Sequence, residues 1–550
     1  INGSMNKTVY VIGHRNPDTD AIVAATAYAR LQNLLGHDEY VAARAGHLTP
    51  QTEYIYNRFN MEKPVYFHDM LPKVAFYMKD HVETVSDDTS LWAAVNLMEK
   101  TNDKVLAVVD HSGCYKSILH YNAFARNLLG KMNPEKKMAV ATSIALIRET
   151  LGAQPLYEKD ADDMFKGTIL CAVNNFESFK NHVDEHASEN VIVITGDRDD
   201  VQQYCVEKGV KAIVLTSGFL PKKELTAAAS AKGINVLSSP FDTSSTATLI
   251  MYSTPVSVMA DSQILPVRPS DYVQKIKQPL RDSPSRSLPV IDENDKLIGI
   301  INENDLLQEA NAELVLVDHN ERTQAVEGSE NYVIRAIIDH HRIGGVITRY
   351  PITFVNKPVG STSTLVAGLY RENHVSIPVD IAQILLCGIL TDTLILQSAT
   401  VTDIDRETAE YLSNIANLDI QELGHDILAA GSRVENRTAA QIIKQDMKEY
   451  TEGKITYTVS QVEVEGSSEI MSRKEEFLKV METLRDSQEL DIVILMLTDV
   501  LLEGSYLIYL GSDEVMQQAF NVTPKNHEMF LPGVMSRKKQ IIPMLTALWG

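Results

Sequence analysis

Three short apolar segments of the chain each break off into aspartate and histidine. The first is TVYVIGHRNPDTD, near the N-terminus, and the other two, ELVLVDHNE and YVIRAIIDHH, lie in the second half of the sequence. Apolar β-branched runs of this length are typical of buried parallel strands, and in open α/β sheets the reactive groups collect at the carboxyl ends of the strands. The pattern therefore predicts one parallel sheet built from distant parts of the chain, with another region inserted between them.

Length and charge limit the kinds of protein that this chain can be. Its 550 residues exceed what one hydrophobic core usually fills, so a multidomain chain is expected. Hydrophobic residues make up 44% and charged residues 23%, which excludes a largely disordered or fibrous chain. The net charge of −22 disfavours nucleic acid as a partner, because it repels a phosphate backbone.

Cysteine usage and hydropathy predict the compartment. The four cysteines are far apart and form no C-x-x-C pair, which fits a reducing environment and excludes a cysteine-built zinc site. No apolar run reaches the roughly 18 residues that a membrane-spanning helix needs. We therefore expect a cytoplasmic protein without a membrane partner.

Within the inserted region, a constant offset of 182 residues relates two segments. The matching pairs are Val85 and Val267, Leu106 and Leu288, Val108 and Val290, Asp110 and Asp292, and Ile118 and Ile300. Each copy predicts a strand, a helix and then two strands joined by a turn. The pattern resembles paired CBS domains, and the α/β segment between the copies resembles a DRTGG domain.

Aspartates and histidines recur in a pattern that suits metal binding. His14, Asp18 and Asp20 lie within seven residues, and the later strand ends add a second set. That second set comprises Asp318, Asp339, His340 and His341, followed by Asp392 in ILLCGILTDT. The first three residues alone would fit equally well a solvated turn with Asp20 as a helix N-cap.

The complete set favours metal ions over a purely structural role. Clustered buried charges without a cation would cost on the order of several kcal/mol per ion. Oxygen and nitrogen donors without thiolate suit Mn²⁺, Co²⁺ or Zn²⁺, with Mg²⁺ held through carboxylates. The number of donors exceeds the needs of one ion, so it predicts a two-metal centre with a bridging water.

The motifs GHRNPDTDA, LVDHNE, IDHH and LTD, in that order, resemble the DHH phosphoesterase superfamily, and the C-terminal SRKKQ resembles family II inorganic pyrophosphatases. The resemblance implies a multidomain α/β fold, with a parallel-sheet DHH lobe, an inserted CBS-DRTGG-CBS region and a C-terminal DHHA2-type α/β lobe. The implied domains are residues 5–64 with 314–430 (DHH), 65–130 (first CBS), 131–251 (DRTGG-like), 252–313 (second CBS) and 431–550 (DHHA2).

The same resemblance implies roles for individual residues. One metal ion would bind His14, Asp18 and Asp318, and the other would bind Asp20, Asp318, His340 and Asp392, so that Asp318 bridges the two. The positions that match the family's pyrophosphate-binding residues are Lys448, Arg537 and Lys538, with His341 near the bridging oxygen. In isolation, RKK would be an ordinary solvated basic patch. Asp339 is expected to orient the two histidines through hydrogen bonds.

We therefore expect a cytoplasmic enzyme that hydrolyses pyrophosphate to two phosphates. It would depend on Mn²⁺ or Co²⁺, with additional Mg²⁺ accompanying the substrate, and would use a hydroxide that bridges the two ions. The alternatives are a DHH phosphodiesterase or exopolyphosphatase, and a nucleotide-binding regulatory protein whose site is inactive.

Regulation is a further implication of the resemblance. Adenine nucleotides (AMP, ADP, ATP or a dinucleotide) would bind the CBS modules as effectors, and the chain would form a homodimer. In the second repeat, Asn302 and Asp305 stand where such modules contact a nucleotide. Asp305 would equally suit a helix N-terminus.

Overall fold

The computed structural model describes residues 7–131, 138–432 and 437–549. The chain forms two compact units, of which the first combines Ile1–Pro72 with Glu309–Gly550 and the second spans Lys73–Gln308. A discontinuous first unit is what the dispersed strand ends predict. The finer boundaries between the five predicted domains stay predictions, and residues 5 and 6 of the first one lie outside the described residues.

Strands and helices alternate along most of the chain. The strands are β1 (Thr8–Ile12), β2 (Tyr40–Arg44), β3 (Val65–Tyr66), β4 (Thr84–Ser86), β5 (Val105–Val109), β6 (Tyr115–His120), β7 (Ala139–Thr142), β8 (Gln154–Tyr157), β9 (Phe165–Cys171), β10 (Val191–Thr195), β11 (Ala212–Leu215), β12 (Asn235–Ser238), β13 (Ser287–Ile291), β14 (Leu297–Asn302), β15 (Ala312–Val317), β16 (Val333–Asp339), β17 (Thr353–Asn356), β18 (Met447–Glu452), β19 (Ile455–Val464), β20 (Ile492–Asp499), β21 (Gly504–Leu510) and β22 (Glu528–Pro532). The helices are α1 (Thr19–Leu34), α2 (Pro50–Arg58), α3 (Leu91–Thr101), α4 (Tyr121–Lys131), α5 (Ile144–Leu151), α6 (Phe176–Asp184), α7 (Asp199–Lys208), α8 (Lys223–Ala231), α9 (Thr243–Met251), α10 (Val273–Asp282), α11 (Thr362–Glu372), α12 (Val379–Asp392), α13 (Asp403–Ala416), α14 (Ile420–Ser432), α15 (Ala439–Gln445), α16 (Ser468–Met471), α17 (Lys474–Gln488), α18 (Asp513–Phe520) and α19 (Ile542–Trp549).

A six-stranded sheet of order β17-β16-β15-β1-β2-β3 organises the first unit, and every neighbouring pair in it is parallel. The first strand pairs with β15, so that Val9 lies opposite Glu313 and Ile12 opposite Leu316. Helix α1 packs on this sheet, and small side chains such as Ala24 on α1 accompany its close packing against α12. The carboxyl ends of β1, β15 and β16 are therefore neighbours, as the sequence predicts.

The C-terminal part of the first unit has its own sheet, of order β18-β19-β20-β21-β22. Only β19 and β20 pair in parallel, and α17 and α19 belong to two separate apolar cores of this part. The SRKKQ motif forms a π-helical turn, Arg537–Ile541, immediately before α19. The predicted multidomain α/β fold class is confirmed.

The second unit contains the repeat, and its strand register follows the same offset of 182 residues. In the first copy β4 pairs with β5 in parallel, with Val85 opposite Val108, and in the second copy Val267 lies opposite Val290. The antiparallel pairs β5–β6 and β13–β14 have registers that differ by the same offset, since Val105 lies opposite His120 and Ser287 lies opposite Asn302. The first copy has the predicted order of elements, whereas in the second copy the first predicted strand is reduced to the isolated bridge between Val267 and Val290.

The two copies also pair with each other symmetrically. Lys79 bridges Ile300, and the bridge between Asp261 and Ile118 is its equivalent after the offset. The bridge between Cys114 and Lys296 maps onto itself, because these two residues are themselves 182 positions apart. The copies are therefore related by an approximate two-fold axis that passes beside this last pair.

A third sheet, of order β7-β9-β10-β11-β12-β8, lies in the chain between the two copies. Its strands β9 to β12 are parallel, as predicted for the three segments NVIVIT, KAIVLT and GINVLS. The resemblance of this segment to a DRTGG domain stays a prediction. Among the described residues, no helix combines the length and apolar character needed to cross a membrane.

Gly299 on β14 offers a test of the close strand pairing inside the repeat. A Cβ atom at this position would lie 2.2 Å from the carbonyl oxygen of Lys79, so Gly299→Ala should destabilise the second unit by about 1–3 kcal/mol through overpacking. Gly368 of α11 has open space around it, and Gly368→Ala should be neutral or stabilising by up to ~1 kcal/mol. Urea unfolding of both variants measures the difference, and equal stabilities would contradict the pairing.

Candidate metal centre

The structure brings the predicted metal-binding residues into two groups that share one aspartate. One group is His14, Asp18 and Asp318, and the other is Asp20, Asp318, His340 and Asp392. Within each group the candidate donor atoms all lie within 4.8 Å of one another. These groups have the same members as the two ligand sets that the family resemblance implies.

Asp318 lies between the two groups because of its backbone conformation. It directly follows β15 and has a φ of 62°, which turns the chain sharply at the end of the strand. Its Oδ2 is 3.2 Å from Nε2 of His14, and its Oδ1 is 3.2 Å from Nε2 of His340. One buried carboxylate therefore presents a different oxygen to each imidazole.

Backbone carbonyl groups fix the orientation of both imidazole rings. Nδ1 of His14 is 2.8 Å from the carbonyl oxygen of Arg15, and Nδ1 of His340 is 2.7 Å from that of Val359. A carbonyl oxygen only accepts, so each Nδ1 carries a hydrogen and each Nε2 faces the carboxylates. Nε2 is therefore the atom of each ring that a metal ion would bind.

Two buried atoms of this centre have no hydrogen-bond partner among the described residues. They are Nε2 of His14 and Oδ2 of Asp318, which face each other. Buried polar atoms are nearly always satisfied, so an unpaired nitrogen lone pair beside an unpaired carboxylate oxygen calls for a cation between them. The donor set thus fits a divalent metal.

Asp18 and Asp20 reach the centre in different ways. Asp18, rather than Asp20, is the N-cap of α1, and it accepts a hydrogen bond from the N–H of Ala21 at 2.9 Å. Asp20 lies inside the first turn and accepts the N–H groups of Thr362 and Ser363, at 2.7 and 2.9 Å. The capping role that the sequence allowed for Asp20 is wrong, because the start of α11 binds its carboxylate.

The pKa values of the centre reflect crowded carboxylates. Burial, together with the negative charges of Asp392 and Asp318, holds the pKa of Asp20 well above its usual range. Burial acts to lower the pKa of His340, but the carboxylates beside it outweigh that effect and raise it to about 10. A cation at this position would relieve the same repulsion.

Asp339 orients one histidine ring of the pair and not the other. Its Oδ1 lies 2.6 Å from Nδ1 of His341, and the side chain of Asn320 donates to its other oxygen at 2.6 Å. Towards His340, Asp339 accepts only the backbone N–H, at 2.8 Å, while the ring is held by Val359. The prediction for Asp339 is therefore right for the ring of His341 and wrong for that of His340.

A cleft of about 130 Å³ adjoins the metal ligands. Its lining includes Asp18, His341, Asp392, Lys448, Arg537 and Lys538. Lys448 and Arg537 are buried and Lys538 is half-buried, which is unusual for lysine and arginine unless they are paired. The structure therefore brings the predicted substrate residues of the C-terminal lobe to the predicted metal ligands.

Each basic residue has a distinct environment. Arg537 donates to the carbonyl oxygen of Asp446 at 2.7 Å and pairs with its carboxylate at 3.1 Å. The ammonium of Lys538 donates to Nε2 of His340 at 2.7 Å, so it contacts a predicted metal ligand directly. Burial lowers the pKa of Lys538, whereas neighbouring carboxylates raise that of Lys448 despite its burial.

Two residues near the centre, one buried and one half-buried, were not singled out from the sequence. His319 is fully buried and packs edge-on against His14, with ring centroids 6.3 Å apart. Glu463 of β19 lines the cleft, and burial raises its pKa well above the usual range. The motif LVDHNE contains His319, but Glu463 is one polar residue in an alternating strand and carries no local signal.

The two predicted regulatory residues bond to each other. The N–H of Asn302 donates to Oδ2 of Asp305 at 2.8 Å, and the N–H of Asp305 donates back to Oδ1 of Asn302 at 3.0 Å. The second carboxylate oxygen of Asp305 is 3.5 Å from the ammonium of Lys79. Asn302 also lines a cleft of about 660 Å³ between the two copies of the repeat.

Comparison with known proteins places these observations in a family. Residues 8–389 match the DHH family, N-terminal domain, and residues 425–548 match the DHHA2 domain. The cobalt-dependent inorganic pyrophosphatase of Clostridium perfringens is 33% identical over 547 residues, which cover 99% of each chain. A probable manganese-dependent inorganic pyrophosphatase of Thermotoga maritima is 32% identical over 98% of this chain and 97% of its own.

One solved structure agrees with the fold of nearly the whole chain. The crystal structure of a Methanococcus jannaschii protein described as a family II inorganic pyrophosphatase is 20% identical, covers 98% of this chain and 99% of its own, and has a TM-score of 0.51. The regulatory CBS and DRTGG domains of the Clostridium perfringens pyrophosphatase, crystallised with the activator diadenosine tetraphosphate, cover 42% of this chain and 99% of their own, at 27% identity and a TM-score of 0.37.

The parallel sheet, the shared aspartate and the two domain matches define a DHH-family phosphoesterase with a C-terminal DHHA2 domain. Within that family, the full-length relatives show that the chain belongs to the family II inorganic pyrophosphatases. The predicted family and enzyme class are confirmed. The roles of the individual site residues stay predictions.

Substitution of Asp318 tests whether it is the shared ligand. Asp318→Ala should abolish tight binding of both Mn²⁺ ions, whereas His14→Ala should weaken mainly one, because only Asp318 belongs to both groups. Calorimetric titration of the folded proteins with Mn²⁺ measures both sites. Asp426→Ala, which removes an exposed acid of the same unit, is the matched control. Two ions bound with wild-type affinity by Asp318→Ala would disprove the shared position.

Proposed function

We propose that the chain hydrolyses inorganic pyrophosphate to two phosphates at a two-metal centre in which Asp318 is the common ligand. The observation that carries this proposal is the position of the two Asp318 oxygens, each 3.2 Å from an imidazole Nε2 of a different ligand group. His14, Asp18 and Asp318 would hold one ion. Asp20, Asp318, His340 and Asp392 would hold the other.

The metal ions and the protein would divide the chemistry between them. When bound, two Mn²⁺ or Co²⁺ ions lower the pKa of a shared water and neutralise phosphate oxygens, with Mg²⁺ accompanying the substrate. The protein holds the ligands in place through the carbonyl groups of Arg15 and Val359. The N-terminus of α11, through Thr362, adds positive potential at Asp20.

The buried cations would bind the substrate. The carboxylate ligands already offset most of the positive charge of two divalent ions. The negative charge of pyrophosphate therefore needs further positive groups at the cleft. Lys448 and Arg537 supply them, and Asp446 holds the Arg537 guanidinium rigidly in position. The ammonium of Lys538 would move from His340 to the substrate when metal occupies the imidazole nitrogen.

One observation favours a longer substrate as a second candidate. A larger cavity, of about 710 Å³, also touches His340, His341 and Lys538, and its lining includes the basic residues Arg342 and Lys539. An exopolyphosphatase would need such space beside the metals. Pyrophosphate fits the smaller cleft, where the acidic ligands and buried cations face each other.

Phosphate release from three substrates decides between these activities. The Mn²⁺-loaded enzyme should hydrolyse pyrophosphate at least ~100-fold more efficiently (in kcat/KM) than tripolyphosphate or a dinucleotide, because only the short anion can be neutralised from both ends in the cleft. Faster release from tripolyphosphate would favour the exopolyphosphatase. A folded, metal-loaded protein inactive on all three would favour the purely regulatory alternative.

We further propose that adenine nucleotides regulate the enzyme through the repeat, and that the chain is a cytoplasmic homodimer. The cleft of about 660 Å³ is lined by residues of both copies, among them Lys79, Lys104 and Arg286. Basic side chains around a cleft of this size suit a nucleotide with its phosphates. The approximate two-fold axis relates this cleft to a second position between the copies, and the two positions can differ in the side chains that line them.

Nucleotide titration of the full-length enzyme tests the regulatory proposal. AMP, ADP, ATP or diadenosine tetraphosphate should change kcat or KM, and Asn302→Ala should raise the half-maximal nucleotide concentration by about tenfold, because it removes a polar group from the cleft. Asn294→Ala, on an exposed turn of the same repeat, is the control. Absence of any response in the wild-type enzyme would refute regulation and leave the metal-centre proposal intact.

A further inference from the structure

The conformation of Asp318 needs an explanation. A non-glycine residue with a φ of 62° is uncommon, and here it determines the direction of the carboxylate. If the residue relaxed to an extended conformation, the side chain would leave the position in which its two oxygens face His14 and His340. Something in the surrounding structure must therefore hold this turn.

The next residue, His319, is placed to hold it. Its Nδ1 lies 2.8 Å from the carbonyl oxygen of Val317 and donates to it, so that the hydrogen bond spans Asp318. The N–H of Asp318 itself donates to the carbonyl oxygen of Ile338 at 2.9 Å, and the hydroxyl of Thr362 donates to Oδ1 at 3.0 Å. The imidazole thus closes a short loop over the turned residue.

The other ring nitrogen of His319 indicates that the role of this side chain is its hydrogen bond to the Val317 carbonyl. Nε2 is buried and has no hydrogen-bond partner among the described residues. An unsatisfied buried nitrogen is destabilising, so an apolar side chain would be the better choice if the position only filled space. The ring also lies perpendicular to that of His14, at 89°, and limits its movement.

We propose that His319 is a positioning residue, which locks Asp318 in the conformation that lets it serve both metal ions. The proposal rests on the two-metal function proposed above. His319 itself is absent from the groups of candidate metal donors found among the described residues, so it acts through Asp318. Residues that orient metal ligands typically change metal affinity by about 10–100-fold when replaced.

Three substitutions separate the hydrogen bond from packing. In His319→Asn the side-chain amide can donate to the Val317 carbonyl much as Nδ1 does. His319→Leu fills similar space without a donor, and His319→Phe retains a ring against His14 and also lacks the donor. Circular dichroism and thermal melting establish that each full-length variant is folded.

Calorimetric titration with Mn²⁺ is the deciding measurement. His319→Leu and His319→Phe should lose about 10–100-fold in affinity for both ions, and His319→Asn should stay within about threefold of the wild type. If His319→Leu does not fold, the comparison of Phe with Asn decides alone. Wild-type affinity in the folded Phe variant, or equal losses in Phe and Asn, would overturn the proposal. A wild-type protein that binds fewer than two ions would instead refute the two-metal function.

Discussion

Repulsion among four carboxylates in a buried space is the constraint on which the rest of the first unit depends. Asp18, Asp20, Asp318 and Asp392 converge, with Asp20 and Asp318 buried and Asp18 and Asp392 half-buried. Asp18 caps α1, Asp20 accepts hydrogen bonds from the N-terminus of α11, Asp318 lies between two imidazoles, and Asp392 lies 3.2 Å from the imidazole of His340. The parallel sheet is the element that brings these residues together, since its strands end side by side.

The same constraint explains why basic residues are buried on the C-terminal lobe. Burying Lys448 in an apolar site would be expensive, but here it and the half-buried Lys538 face an excess of negative charge. Lys538 contacts the imidazole of His340, which shows how closely the two lobes of the first unit already approach. Residues far apart in sequence therefore form one electrostatic system.

Strand endings and spacing are local signals, and they were sufficient to predict the sheet and a cluster of candidate metal donors, whereas the division of these donors into two groups came from the family resemblance. The sequence could not decide which aspartate caps α1, since both Asp18 and Asp20 precede an apolar helix and only the distant Thr362 distinguishes them. The roles of His319 and Glu463 were also out of reach. The environment of each residue comes from tertiary packing, and neither lies in a sequence pattern that indicates its surroundings.

The repeat keeps its backbone pairing while it reverses its charges. His120 and Asn302, which are equivalent after the offset, each accept the N–H of the residue three positions later, at 3.1 and 3.0 Å. Yet Lys79 faces Asp305 at 3.5 Å in one half, whereas Asp261 faces His120 at 3.9 Å in the other. After the offset Lys79 corresponds to Asp261, whereas Asp305 corresponds to Ala123, so the two halves share a hydrogen-bond register while one equivalent position carries the opposite charge.

The pairing of β1 with β15 also sets an order of events during synthesis. Val9 cannot meet Glu313 until the whole intervening segment has left the ribosome, which at roughly 5–20 residues per second takes on the order of 15–60 s. In that interval Lys73–Gln308, which has cores of its own, can become compact. Because each doubling of a flexible loop adds only about 0.6 kcal/mol to the cost of closing it, the delay is mainly kinetic. The first strand to be made can pair early with β2 but is among the last to find its second neighbour, so one of its edges stays open to chaperones that bind nascent apolar segments.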